Sequence, residues 1–129
     1  MYVVQPYRLT AAECDALLAL PLDVAPGPGG SRISDASICA ALLPDWAHGR
    51  LQVVALYPSS QLVAHVDPPI DGVRWHVPLA VNPGCWVFHG GAWQQLERGQ
   101  CYAMDPTEIH GAVNWGETLR LHLVSDGHV

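Results

Sequence analysis

Apolar residues along this chain change their period once. Between Ala11 and Leu20 they recur at helical spacing, with Cys14, Leu17, Leu18 and Leu20 sharing one side. Thr10 and Glu13 form a capping box ahead of that run, the hydroxyl and the carboxylate satisfying free amides at a helix start, and Pro21 ends it. Asp23 to Arg32 contains Pro26-Gly27-Pro28-Gly29-Gly30, which cannot continue a helix and reads as a surface loop. A second short helix is expected over about 34–43, stopped by Pro44. From Leu51 onward the apolar runs are short and bounded by turn residues: Pro58-Ser59-Ser60, Pro68 to Gly72, Asn82-Pro83-Gly84, Gly90-Gly91, Arg98-Gly99, Asp105-Pro106 and Trp115-Gly116. That punctuation predicts about eight strands. The expectation is one mainly β domain, with a helical N-terminal part (1–45) and a compact barrel or jelly-roll core (51–126), one or two helices packing on its outside.

The two-residue period of a strand decides which side chains share a surface. His65 and Asp67 point one way together, as do Arg74 with His76 and Arg120 with His122. On the last strand the opposite face is Leu119, Leu121 and Leu123, a greasy strip that the helix after Thr10 is placed to cover. A strand with one apolar face and one carrying arginine and histidine describes a barrel with a site in its mouth. Trp75, Trp86, Trp93 and Trp115 are expected in the core or in strand pairs.

Composition narrows the partners. The 129 residues include twelve Asp and Glu against six Arg and no Lys, giving a formal charge of −6. Nucleic acid is thereby disfavoured, since phosphate capture needs clustered basic residues. No basic segment precedes an apolar run at the start, and no apolar run approaches the ~20 residues that span a bilayer. A cytoplasmic protein without a membrane partner is the expectation. Cys14, Cys39, Cys85 and Cys101 show no CxxC spacing and read as buried thiols.

The chemistry is carried by His65-Val66-Asp67, by His110 downstream, and by Arg120 beyond it. Two imidazoles and one carboxylate can occupy one face of Fe(II), leaving three positions open for co-substrate and oxygen. Residues i and i+2 of a strand project together, and the third ligand can arrive from a strand neighbouring in space. An arginine beyond the distal histidine suits a dicarboxylic co-substrate, because its planar fork grips a carboxylate with two parallel hydrogen bonds. Asn114, four residues after His110, is placed to fix the following turn through local backbone bonds.

These residues and the text around them resemble the aspartyl/asparaginyl β-hydroxylase-like branch of the Fe(II)/2-oxoglutarate-dependent oxygenases, which also includes some proline hydroxylases. The matching stretches are His65 to Asp67, Arg74 to Leu79, Gly99 to Asp105, His110 to Asn114 and Arg120 to Asp126. The resemblance implies a double-stranded β-helix, iron on His65, Asp67 and His110, and 2-oxoglutarate on Arg120, with Arg74 and His76 as further carboxylate partners or substrate contacts. It implies a dioxygen-consuming hydroxylase acting on an amino acid, free or within a peptide or natural-product intermediate. Relatives usually carry more structure around the substrate, so this chain is expected to hold it in an open mouth or to borrow a wall from a second copy in a homo-oligomer.

Two other readings use the same barrel. Gly99, Pro106, His110 and Asn114 come close to the second cupin motif, which suits a metal-dependent dioxygenase or isomerase without 2-oxoglutarate, although the first cupin motif finds no counterpart in His65-Val66-Asp67-Pro68-Pro69. A non-catalytic small-molecule-binding barrel is the third, and an intact triad argues against it.

Overall fold

The computed structural model describes residues 1–127, which form ten strands and one α-helix. The strands are β1 (Val3–Arg8), β2 (Ser31–Asp35), β3 (Arg50–Leu56), β4 (Ser60–His65), β5 (Val73–Ala80), β6 (Cys85–His89), β7 (Ala92–Gln94), β8 (Gln100–Met104), β9 (His110–Asn114) and β10 (Arg120–Gly127). Six make one sheet in the order β1-β8-β5-β10-β3-β2, and four make a second in the order β4-β9-β6-β7. Every pairing is antiparallel, so the chain is a mainly β, double-sheet jelly roll.

Alternation along the three central strands of the large sheet sets its layers. Leu51, Val53 and Ala55 on β3, Trp75, Val77 and Leu79 on β5, and Leu121 and Leu123 on β10 all turn outward and are buried. Cys14 and Leu17 of helix α1 (Ala11–Leu18) close over them, joined by Leu9, Ala36, Cys39 and Cys101. The principal core therefore lies outside the barrel, under the helix, and the leucines of β10 are covered as expected. At roughly 25 cal/mol per Å² of apolar surface buried, this layer supplies most of what holds the fold. A smaller apolar cluster of Tyr2, Leu56, Val87, Tyr102, Met104 and Ala112 sits between the sheets and leaves the remaining interior for polar residues.

The capping box forms as read: Glu13 N–H donates to Thr10 Oγ1 at 3.1 Å and Thr10 N–H to Glu13 Oε1 at 2.9 Å. The N-terminal part is otherwise not the helical 1–45 segment expected. Val3–Arg8 is an edge strand on β8, where Pro6 is tolerated because an edge need not donate on both sides. Ser31–Asp35 pairs along the other edge, opposite Leu56 to Gln52, and only Ser37–Leu42 behind it winds, as a 3-10 helix. Neither strand carries the apolar alternation that would announce it; each is recruited by an unpaired sheet edge, which is tertiary context overriding local preference.

Of the four tryptophans expected in the core or in strand pairs, Trp75 is fully buried and Trp86 and Trp93 sit in strand pairs opposite Val113 and Phe88, though exposed, whereas Trp115 is exposed beyond β9. The exposed three lie on or beside the small sheet, which carries no covering helix. All four cysteines are buried and free; Cys85 and Cys101 belong to different sheets.

Candidate active site

His65 and His110 are direct partners across β4 and β9, and their rings lie 4.3 Å apart between centroids. Strict alternation on β4 would have put Leu62 and His65 on opposite faces. The register shifts between these two residues, a bulge that turns both toward the interior. Gly111 makes room for it, since a Cβ there would come within 2.7 Å of the Leu62 carbonyl oxygen.

Asp67 follows β4 in the connection to β5, anchored by its own N–H donating to the Pro106 carbonyl at 2.9 Å. Its Oδ2 lies 3.2 Å from His110 Nε2 and its Oδ1 3.7 Å from His65 Nε2. Both imidazoles are oriented by backbone two residues earlier: Nδ1–H of His65 donates to Val63 O at 2.6 Å, and Nδ1–H of His110 to Glu108 O at 2.8 Å. Each histidine therefore turns its Nε2 lone pair toward Asp67, the tautomer a metal ligand needs. The three donor atoms lie within 4.8 Å of one another, and theirs is the one such group found among the described residues.

Arg74 spans two carboxylates. Its Nη1 donates to Asp67 Oδ2 at 2.6 Å, while Nε and Nη2 donate to the two oxygens of Asp126 at 2.7 and 3.2 Å. Partial burial raises the Asp67 carboxyl, but Arg74, then His110 and His65, outweigh it and hold Asp67 below its ordinary value. Asp67 is thus ready as an anionic ligand. Asp126 is a site residue that sequence reasoning missed; it shares the inward face of β10 with Arg120, but its link to Arg74 depends on a cross-strand register invisible in the text.

Deeper in, Arg120 is 2% exposed, and its Nε has no hydrogen-bond partner among the described residues. Burial pulls its pKa down from the ordinary value, with Tyr2 and Cys85 close enough to push it back up. Asp126, the carboxylate on its own strand face, is engaged by Arg74. A buried, unneutralised guanidinium costs several kcal/mol, so it calls for an anion that is brought in.

Beside it, Nδ1 of His76 and Nδ1 of His122 stand 3.1 Å apart, both rings buried. Burial, and after it the charge of Arg120, holds both well below 6.5, so one neutral ring donates its Nδ1–H to the lone pair of the other. Tyr2, just ahead of β1, completes this end, edge-on to His76 at 5.1 Å. A cavity of about 420 Å³ connects the parts. Asp67, Arg74, His76, His110 and Arg120 all line it; His65 borders the metal side from a more exposed position. Its remaining wall is mostly apolar, with Ile33, Val54, Leu62, Pro68, Pro69 and Ile70 toward the opening.

Asn114 holds the turn after the distal histidine as expected. Its Nδ2 donates to Leu56 O at 2.8 Å and Thr118 O at 2.9 Å, and its Oδ1 accepts from Gly116 N at 3.1 Å. His89 is buried opposite His110, its Nε2–H donating to Asp105 O at 2.8 Å. His128 lies outside the described residues.

The sequence profile of the family described as Aspartyl/Asparaginyl beta-hydroxylase matches residues 37–128, which takes in the triad, Arg74, His76 and Arg120. The chain belongs to that family. The His65-Asp67-His110 group is the candidate place for a metal. A search of curated proteins finds no match. Among solved structures the chain is similar to a tryptophan-to-tyrosine variant of the salicylate 1,2-dioxygenase from Pseudoaminobacter salicylatoxidans in complex with gentisate, with a TM-score of 0.53 at 15% identity. That likeness covers 89% of this chain and 31% of the dioxygenase, so the present chain spans about a third of its length. It extends to the fold, a cupin-like double-stranded β-helix.

Proposed function

We propose that the protein is an Fe(II)- and 2-oxoglutarate-dependent hydroxylase acting on an amino acid, free or within a peptide or natural-product intermediate. The observation that carries this reading is an intact two-histidine, one-carboxylate group, of which Asp67 and His110 line a cavity shared with the buried Arg120, whose Nε has no hydrogen-bond partner among the described residues. The donor set suits iron: two neutral imidazole nitrogens and a carboxylate on one side, the cavity on the other. Arg120 suits the carboxylate of a 2-oxo dicarboxylic acid, whose binding would neutralise its buried charge.

With iron and 2-oxoglutarate bound, the oxo acid is decarboxylated to succinate as dioxygen is consumed, and hydroxyl is delivered to a C–H bond of the substrate. The chain's own contribution is placement. Backbone carbonyls fix both histidine tautomers, Arg74 holds Asp67 ionised and aimed, and the helix-covered sheet presents Arg120 from a dry interior. The apolar wall from Ile33 to Ile70 limits water at the mouth and offers an apolar surface to the substrate.

The test is succinate release from 2-oxoglutarate with Fe(II), ascorbate and oxygen, beside calorimetric titration of 2-oxoglutarate into metal-loaded protein. His110→Ala is expected to lose metal binding, and Arg120→Ala to keep the metal while binding 2-oxoglutarate far more weakly. Metal-loaded wild type that takes up no 2-oxoglutarate would count decisively against this reading and favour a cupin-type oxygenase that uses the metal alone.

A further inference from the structure

Tyr2 was silent in the sequence, two residues into a segment with no strand signal, yet it is 4% exposed and lines the same cavity as Arg120 and His110. It is held there on three sides. Strand β1 hydrogen-bonds to β8, and the side chain of Gln94 on β7 clamps the residue's backbone, Oε1 accepting from Tyr2 N–H at 2.7 Å and Nε2 donating to Tyr2 O at 3.1 Å. The ring is wedged edge-on between His76 at 5.1 Å and His89 at 5.7 Å. Contacts of that kind position an aromatic ring closely, yet they use only its apolar body. The hydroxyl makes no hydrogen bond to any described residue.

Tyr2 and Arg120 line the same cavity, and both are buried. Burial pushes the Tyr2 phenol up to about 12, while Arg120 and then Arg74 act on it in the opposite direction, and Arg120 in turn feels Tyr2. A phenol that stays protonated at neutral pH is a hydrogen-bond donor, and its neighbour is a cation lacking a partner at Nε. The deep end of the cavity therefore offers a hydroxyl donor and a guanidinium donor with no carboxylate to receive either.

Resting on the reading above, we infer that the Tyr2 hydroxyl and Arg120 together bind the distal carboxylate of the co-substrate, which makes Tyr2 a specificity residue for a 2-oxo dicarboxylate over a 2-oxo monocarboxylate. The residue leading into the edge strand β1 thus supplies part of the co-substrate site.

The experiment compares wild type and Tyr2→Phe, loaded with Mn(II) and kept free of oxygen, titrated with 2-oxoglutarate and with 2-oxobutyrate, which has the same oxo acid end and no distal carboxylate. Phenylalanine keeps the ring between His76 and His89, so the fold is retained, and thermal unfolding of the two proteins verifies it. The expected result is a loss of about tenfold or more in 2-oxoglutarate affinity, the worth of a hydrogen bond to a charged group. Affinities for 2-oxobutyrate and for Mn(II) should not change. Equal 2-oxoglutarate binding by both proteins overturns the inference while leaving the proposed function standing; so does an equal loss for both oxo acids, which would mark Tyr2 as packing only. Wild type that binds Mn(II) but prefers neither acid overturns the functional reading itself, and the inference with it.

Discussion

Arg74 Nη1 reaches Asp67 Oδ2 at 2.6 Å, the same oxygen that stands 3.2 Å from His110 Nε2. One carboxylate oxygen is thus shared between an arginine and the candidate metal-ligand group, and the arginine is itself braced by Asp126 on β10. The connection after β4 has no regular structure to hold Asp67, so its aim depends on the Pro106 backbone bond and on this guanidinium.

Arg74→Ala is expected to weaken divalent metal binding by about ten- to a hundredfold, the usual cost of removing a group that orients a ligand. Arg74→Lys keeps a charge near Asp67 but cannot span two carboxylates, and should fall between. Competition between the protein and a chromophoric chelator for Mn(II) measures both. Wild-type affinity in Arg74→Ala would mean that Asp67 needs no such support.

Arg120 is a buried charge that costs the fold stability and that an incoming anion would offset. It is buried with no ion-pair partner among the described residues, so replacing it with an apolar side chain of similar length removes a desolvated charge. Arg120→Met is predicted to be neutral or stabilising by about 1–4 kcal/mol in denaturant unfolding without ligand. The same variant should no longer be stabilised by 2-oxoglutarate, whereas wild type at a hundred times the dissociation constant gains about 2.7 kcal/mol. A marked destabilisation by Arg120→Met would show that the arginine holds the fold rather than a ligand.

What the sequence could show of this site follows from which physical rules are local. Alternation on β5 and β10 is local, and it correctly put Arg74 with His76 and Arg120 with His122 on the face opposite Trp75, Leu121 and Leu123. The β4 bulge is not local: it depends on Gly111 of β9 leaving room for the Leu62 carbonyl, and without it Leu62 and His65 could not both face inward. Tyr2, Asp126 and the two edge strands were hidden for the same reason. Their roles arise from pairing partners about twenty to a hundred residues away, where no local window of sequence carries the signal. The exposure of three tryptophans has another cause. The alternation places residues on the two faces of the small sheet but does not show that one of those faces lacks a covering layer.

The His76 and His122 pair should dominate the pH dependence of stability just below neutrality. Burial first, and the nearby Arg120 charge second, keeps both imidazoles well below 6.5 in the folded protein. In the unfolded chain they titrate near the ordinary value of about 6.5. With folded pKa values depressed, the stabilisation is fully present above that unfolded value and is lost as pH falls from there toward the folded values, because only the unfolded state gains protons in between. Within that window each histidine should remove about 1.4 kcal/mol per pH unit. Carboxylates held below their ordinary range, Asp67 among them, act at lower pH and leave the interval from about 6 to 5 to the histidines. Urea unfolding of metal-free protein across that interval should show a steep decline, and the His76→Asn, His122→Asn double variant a flatter one. An equally steep decline in the double variant would show that the proton uptake on unfolding belongs to other groups and that this buried pair does not set the acid limit of the fold.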